Sequence, residues 1–374
     1  MFNRVIEKSI MESFGKKKVI ILSGARQVGK TTIAKKIANK SNMKVLWLNG
    51  DEPDARKMLT DVTSVELQAL VGNHKLVVID EAQRVLNIGI TLKLMVDNLK
   101  DVQILATGSS SFELANHINE PLTGRKYDYF LFPLSFSELA NHKSVLNEKR
   151  SLENRLIYGS YPDVVNHPGE ERETLKTLSD SFLYKDLLSF EQLKKPSILE
   201  KLLQALALQL GSQVSYNELG QLVGADNQTV ERYIDLLEKS YVIFRLGTLS
   251  RNLRNELKKT RKVYFFDNGI RNAILNNFSR LELRMDVGPL WENYLISERM
   301  KINHYSKRWV NTFFWRTRSQ QEIDYIEERD GQLFAYEFKW NPRRKTKIPS
   351  TFLKAYPKAE TQILSQDNYS EFLT

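Results

Sequence analysis

Short apolar runs punctuate the first 140 residues: VIILS (19–23), KVLWLN (44–49), KLVVID (75–80) and QILATGS (103–109). Each is nearly continuous in aliphatic residues rather than alternating, the pattern of strands covered on both faces in a parallel sheet. Amphipathic stretches such as IAKKIANK lie between them, so this part reads as an α/β domain. From Ser151 to about Arg245 apolar residues recur at three- and four-residue steps, as at Leu199, Leu202, Leu203 and Leu206, which is the period of a helix. Strands return from about Val263, with YFFD (264–267), NTFFW (311–315), EIDYIE (322–327) and LFAYEFKW (333–340). The pattern divides the chain into residues 1–150, 151–260 and 261–374, with no internal repeat.

At 374 residues the chain is long enough for two or three domains. No apolar run reaches the roughly 18 residues that span a bilayer. The start, MFNRVIEKSIMESFGKKK, mixes charges with apolar residues at helical spacing, unlike a secretory leader. There is no cysteine, which excludes disulfides, thiolate catalysis and Cys-ligated zinc and agrees with a cytoplasmic location. Five scattered histidines argue against a His-rich metal site. The net charge of +10 fits either a polyanionic partner, nucleic acid first, or a merely solubilising surface. Arg251, Arg254, Lys258, Lys259, Arg261 and Lys262 stand against a single acid, Glu256, and a second cationic run holds Arg343, Arg344, Lys345 and Lys347; both runs are expected to be able to touch a nucleic-acid backbone.

Gly24-Ala25-Arg26-Gln27-Val28-Gly29-Lys30-Thr31 fits G-x-x-x-x-G-K-[ST] at every fixed position, between a strand-like run and an amphipathic one. Phosphates must approach the backbone closely, so Gly24 and Gly29 remove side chains and permit the turn's dihedrals. Backbone N–H groups then converge on an anion at a helix start. Lys30 is expected to reach the β- and γ-phosphates of ATP, and the Thr31 hydroxyl to complete Mg²⁺ coordination, with Thr32 one step further into the helix. KLVVIDE supplies the second element: Asp80 at a strand end can bind Mg²⁺ through water, and Glu81 can polarise the attacking water. After the next strand, Ser109 is the candidate for sensing the γ-phosphate, with Thr107 second; a Ser-rich turn that only caps SFELANHI fits the same residues. Arg125, in Leu122-Thr123-Gly124-Arg125, is a candidate arginine finger on a neighbouring subunit's nucleotide, which implies a homo-oligomer; a surface ion pair is the competing reading.

GARQVGKTT, VVIDEAQRV, ILATGSSS, LTGRKYDYFLFPLSFSEL and GSYPDVV resemble, in order and spacing, a prokaryotic AAA-type ATPase family. Its members join an ATPase domain to a C-terminal domain of unknown function with a restriction-endonuclease-like core. The resemblance implies an AAA-type parallel sheet flanked by helices and an α/β nuclease-like C-terminal domain; the residues between them read as a helical winged-helix segment. It implies Gly24, Gly29, Lys30 and Thr31 for the phosphates, Asp80 and Glu81 for Mg²⁺ and water, Ser109 as first sensor and Arg125 as finger. No clear second-sensor arginine follows.

Val214–Leu246 reads as a winged helix-turn-helix, with Ser215 capping YNELGQLV, a turn at Gly224-Ala225-Asp226, and a second helix from Asn227 to Ser240. Major-groove recognition is opposed by Glu231, Asp235 and Glu238 on its exposed side, so a packing or linking role is favoured. In the last segment, Asp330-Gly331 predicts a hairpin turn. Glu337 and Lys339, two apart, share a strand face, and Asp324 lies on the paired strand. Carboxylates that bind Mg²⁺ and a lysine that activates water or stabilises phosphate charge make a phosphodiesterase set, similar to the D…E-x-K signature of the restriction-endonuclease-like superfamily. Glu292 can add a third carboxylate. E-x-K alone arises roughly twice per chain of this composition, so the hairpin context carries the reading. The expected function is an Mg²⁺-dependent AAA-type ATPase with a nuclease-like domain acting on DNA. The alternative is a nucleotide-gated regulator or protein remodeller with an inert docking domain.

Overall fold

The computed structural model describes residues 2–108, 121–181, 195–249, 261–343 and 347–373. It divides into two compact units, one up to Leu134 together with Lys239–Tyr241, the other Ser135–Glu238 with the chain from Val242 onward. Among the described residues no helix is long and apolar enough to cross a membrane.

The first unit is a parallel five-stranded sheet in the order β2-β3-β4-β1-β5, with β1 Val19–Gly24, β2 Val45–Asn49, β3 Leu76–Asp80, β4 Gln103–Gly108 and β5 Lys126–Leu131. The continuous apolar runs form the first four, and β3 and β4 are buried throughout, as strands covered on both faces must be. Sequence pattern did not mark β5: its first half, Lys126-Tyr127-Asp128, is partly exposed at the sheet edge, and burial begins only at Tyr129. Helices flank the sheet, among them Lys30–Lys40 and Ile88–Asn98. The core packs Val77, Ile79 and Ala106 against Leu59, Leu67, Leu92 and Met95.

In the second unit, helix Pro196–Leu208, β6 (Gln213–Val214), helix Tyr216–Val223, helix Asn227–Lys239, β7 (Ile243–Thr248) and β8 (Arg261–Phe265) follow in that order. Ser215 caps its helix and Gly224 ends it in the left-handed conformation, as the sequence implies. A helix, Val287–Tyr305, leads to β9 (Asn311–Arg316), β10 (Glu322–Arg329), β11 (Gln332–Phe338) and β12 (Glu360–Leu364). One seven-stranded order, β12-β11-β10-β9-β7-β8-β6, runs through all of them. The expected segments 151–260 and 261–374 therefore share a sheet, because β8 pairs with β6 and β7 while β7 also pairs with β9. The β10–β11 hairpin turns at Asp330 and Gly331, both at positive φ, as Asp-Gly predicts.

Helix Val287–Tyr305 is tied to β10 by a buried ion pair. Arg299 forks onto the fully buried Glu327 at 2.9 and 3.1 Å and donates to the Phe372 carbonyl at 2.8 Å. Burial works to raise the Glu327 pKa, but the hydrogen bonds and charge of Arg299, with help from Arg329 and Asn303, hold it below the usual carboxylate range. Arg299→Met should cost about 3–5 kcal/mol, read as a lower urea midpoint, because it leaves a buried carboxylate without its main partner. Since the folded pKa is depressed, this stabilisation is complete above the ordinary carboxylate range and is lost as the pH falls through the folded value. Acidification should therefore cost the parent more stability than the variant.

Candidate functional site

β1 ends at Gly24 (φ 154°), where an added Cβ would lie 2.3 Å from the Leu131 carbonyl of β5. The following turn uses positive φ at Gln27 and Gly29, and helix Lys30–Lys40 starts on Gly29 with no side-chain cap. Its first N–H groups are thereby directed at the turn. Ala25 and Val28 are buried under the turn, and Thr32 lies within the helix. Lys30, also buried, curls back to donate to the carbonyls of Gly24 (3.1 Å) and Ala25 (2.8 Å). Arg4 braces the turn from the N-terminal side, donating to Val28 O at 2.8 Å and Phe132 O at 2.6 Å. Nothing in the local sequence marks Arg4 for this task.

Strand order brings the second element beside the turn. β4 lies between β1 and β3 and carries Thr107, whose buried hydroxyl donates to Asp80 Oδ1 at 2.5 Å and accepts from the Glu81 backbone N–H at 3.2 Å. Thr31 Oγ1 donates to the same carboxylate oxygen at 3.2 Å. Glu81 is held at φ 49°, with Gln83 bonded to its carboxylate at 2.5 Å. An added Cβ on Gly50 would meet the Glu81 carbonyl at 2.3 Å, so that position must stay bare. Lys30, Thr31, Asp80 and Glu81 thus converge, and Thr107, the second choice as sensor, connects the two acids. Ser109 lies outside the described residues. Arg125 is not at this cluster: β1 and β5 align Val19 with Lys126 and Gly24 with Leu131, so it sits at the other end of the sheet, about 17 Å along the strand. There it pairs with Asp97 at 2.8 Å.

The acid–lysine set assembles in the second unit. Tyr325 pairs with Tyr336, so the next rung sets Asp324 against Glu337 on one face of the hairpin. A register shift against β9 between Ile323 and Ile326 marks a bulge at Asp324-Tyr325, a local device that re-aims side chains. Asp324 accepts from the Phe338 N–H at 2.8 Å, and Lys339 Nζ donates to Glu337 Oε1 at 2.7 Å. Glu292, from helix Val287–Tyr305, joins them, as does Glu322, which sequence reading overlooked although it stands two residues before Asp324 on the same strand. Oxygens of Glu292, Glu322 and Asp324 lie within 4.8 Å of one another.

One expectation is corrected here. Lys262 is not part of a solvent-facing basic run: it is 1% exposed and its ammonium contacts Glu292 Oε1 at 2.9 Å and Glu322 Oε1. Only Arg261 and Lys262 of that run are described, as are Arg343 and Lys347 of the second. Burial opposes the Lys262 charge, but Glu292, Asp324 and Glu322 outweigh it and keep the ammonium above the usual lysine range. Asp324 is pushed well above the ordinary range by burial, then by Glu292 and Glu337, with Lys262 opposing. Burial also raises Glu337, against the bond from Lys339. Glu337 Oε2 is buried and has no hydrogen-bond partner among the described residues.

Comparison with known proteins bears first on the turn and its acids: residues 16–140 match a family model described as an AAA domain. The N-terminal part of the chain is an AAA-type P-loop ATPase domain. Beyond the ATPase domain, residues 149–281 and 287–371 match two domains of unknown function, DUF8612 and DUF4143. An uncharacterized protein of Mycobacterium tuberculosis is 25% identical over 338 residues, 89% of this chain and 71% of its own length. Another, from Methanocaldococcus jannaschii, is 22% identical over 378 residues, 95% and 82% of the two chains. Among solved structures, a Walker-type ATPase of Pyrococcus abyssi is similar over 74% of this chain and 96% of that one, at 17% identity and a TM-score of 0.49. RuvB of Thermotoga maritima covers 69% and 95% at 16% identity and a TM-score of 0.34.

Within the ATPase domain, Thr107→Val should leave the Glu81 N–H without its acceptor and free Asp80 to move. The expected loss is about 1–3 kcal/mol in urea unfolding, with ATP turnover at least about tenfold lower. Thr107→Ser, which keeps the hydroxyl, should restore both.

Proposed function

We propose that the protein is a cytoplasmic, Mg²⁺-dependent ATPase whose second unit carries a nuclease-like carboxylate–lysine site acting on DNA. For the ATPase, support comes from the AAA-domain match and from the chain of contacts Thr31–Asp80–Thr107–Glu81. The N–H groups of residues 25–31 and the Lys30 ammonium would hold the phosphates of ATP. Thr31 and Asp80 would hold Mg²⁺, which lowers the charge on the β- and γ-phosphate oxygens when bound. Glu81 would accept the proton of the attacking water. Arg125, lying at the far end of its own sheet, would act on the nucleotide of a neighbouring copy.

Glu81→Gln should retain ATP yet turn it over at least about 100-fold more slowly, whereas Lys30→Ala should weaken nucleotide binding itself. A parental rate for Glu81→Gln would remove that residue from the mechanism. Mixing Arg125→Ala with Glu81→Gln subunits should recover part of the turnover at mixed interfaces; turnover independent of protein concentration in a chain that stays monomeric with ATP would exclude the finger.

One observation carries the reading of the second site: the buried Glu337 Oε2 without a hydrogen-bond partner, beside the carboxylate of Asp324. A divalent cation would supply the missing partner, offset the crowded negative charge and polarise a phosphodiester oxygen. Lys339 would steady phosphate charge or hold a water for attack. Arg318 belongs to the turn between β9 and β10, at the sheet end where Glu322 begins its strand, and suits a phosphate backbone. Among the described residues from Pro196 to Phe265, the order helix, strand, two helices and two strands supports the winged-helix reading. Its second helix is tied down through Arg245, bonded to Asp235 and Glu238, which supports a linking role over groove reading. Asp324→Asn should abolish Mn²⁺-dependent cleavage of duplex DNA by the full chain, while ATP turnover stays within about twofold of the parent. A cluster that binds Mn²⁺ and cleaves no DNA would favour the ATP-gated docking role.

A further inference from the structure

Two cations of the chain itself already stand among the four carboxylates, and they are not shared equally. Lys339 serves Glu337, through Oε1 alone. Lys262 serves Glu292 and Glu322 together, and its side chain is 2% exposed. Tyr264 donates a second hydrogen bond to the same oxygen of Glu292, and Arg316 takes the outer oxygen of Glu322 at 3.2 Å. The ring of Phe314 lies 5.4 Å from the Lys262 ammonium, a further favourable face for a cation. Glu292 Oε1 and both oxygens of Glu322 are therefore partnered. In the Asp324–Glu337 half, one oxygen is bound by the Phe338 N–H and another, Glu337 Oε2, has no partner.

A divalent cation bound by carboxylates needs oxygens at about 2.0–2.6 Å, and a buried ammonium on those same oxygens competes for the same lone pairs and repels the ion. The geometry points to Lys262 as a tethered cation that fills the position a second metal ion would take, so that the cluster binds one divalent ion, at Asp324 and Glu337. This rests on reading the cluster as a cation site, and it adds the stoichiometry and the residue that sets it. Lys262 is brought in by β8, which pairs with β6 and β7, so the ammonium is held by a strand that carries none of the four carboxylates. Its charge is fixed in place rather than drawn from solution, and the half it occupies stays closed to Mg²⁺ at any concentration the other half can use.

The test is the number of Mn²⁺ ions bound by the full chain without nucleotide, counted by equilibrium dialysis and electron paramagnetic resonance, with Asp324→Asn as the blank for other sites. One uncoupled ion per chain above the blank is expected. Lys262→Met should bind two, with spin coupling between them, and its melting temperature should fall without metal and recover with Mn²⁺. Glu292→Gln, a milder change, should leave the single-ion affinity within about threefold, since a lost ligand or its support would cost about 10–100-fold. Two coupled ions in the parent overturn the inference and leave the cation-site reading standing. So does a large affinity loss in Glu292→Gln, or one ion only in folded Lys262→Met. No Mn²⁺ above the blank in the parent removes both readings at once.

Discussion

The second unit depends on the handover made by β7. Its first residues pair with β8, from Ile243 opposite Phe265 to Leu246 opposite Lys262, and its last two, Gly247 and Thr248, pair with β9. The Leu249 N–H continues the ladder to Phe314 O at 2.7 Å. Main-chain hydrogen bonds thus fix β8, which carries Lys262, relative to the strands that carry Glu322, Asp324 and Glu337. Backbone pairing of this kind is sequence-tolerant, whereas a buried ammonium is not. Lys262 is tolerable in that interior only because the handover sets its Nζ against two carboxylates.

The ATPase domain obeys a related constraint on a smaller scale. A parallel sheet presents the C-terminal ends of its strands at one edge, and the order β3-β4-β1 places one strand between the phosphate turn and the acids. That intervening strand would otherwise separate them. Thr107 turns it into a connector, because a hydroxyl both donates and accepts, here to Asp80 and from Glu81. The close approaches at Gly24 and Gly50 then leave the backbone around the acids little freedom to drift.

Much of this was legible along the chain. Continuous apolar runs marked β1 to β4, G-x-x-x-x-G-K-T marked the turn, and Asp330-Gly331 with period-two spacing marked the hairpin that brings Asp324 to Glu337. These signals are local, carried by neighbours in sequence. What stayed hidden depends on distant pairings. β5 and β12 are partly exposed edge strands whose patterns resemble loops. Arg4 reaches across more than a hundred residues to Phe132, and the bulge at Asp324-Tyr325 exists only relative to β9. Lys262 was misread because five cations precede it in the run, although the apolar Val263-Tyr264-Phe265-Phe266 directly after it already signalled a strand going into the core.

The fully buried Lys262 also bears on how such chains can change over generations. It lies within the part matched by one family model, residues 149–281, whereas Glu292 and Glu322 lie within the part matched by another, 287–371. Two separate models suggest modules that could be traded by recombination. A crossover between Leu281 and Val287 with a chain that lacks this pairing would nevertheless part the ammonium from both of its carboxylates, burying unmatched charge. Such an exchange would be tolerated only where the incoming stretch matched the resident one at 262, 292 and 322.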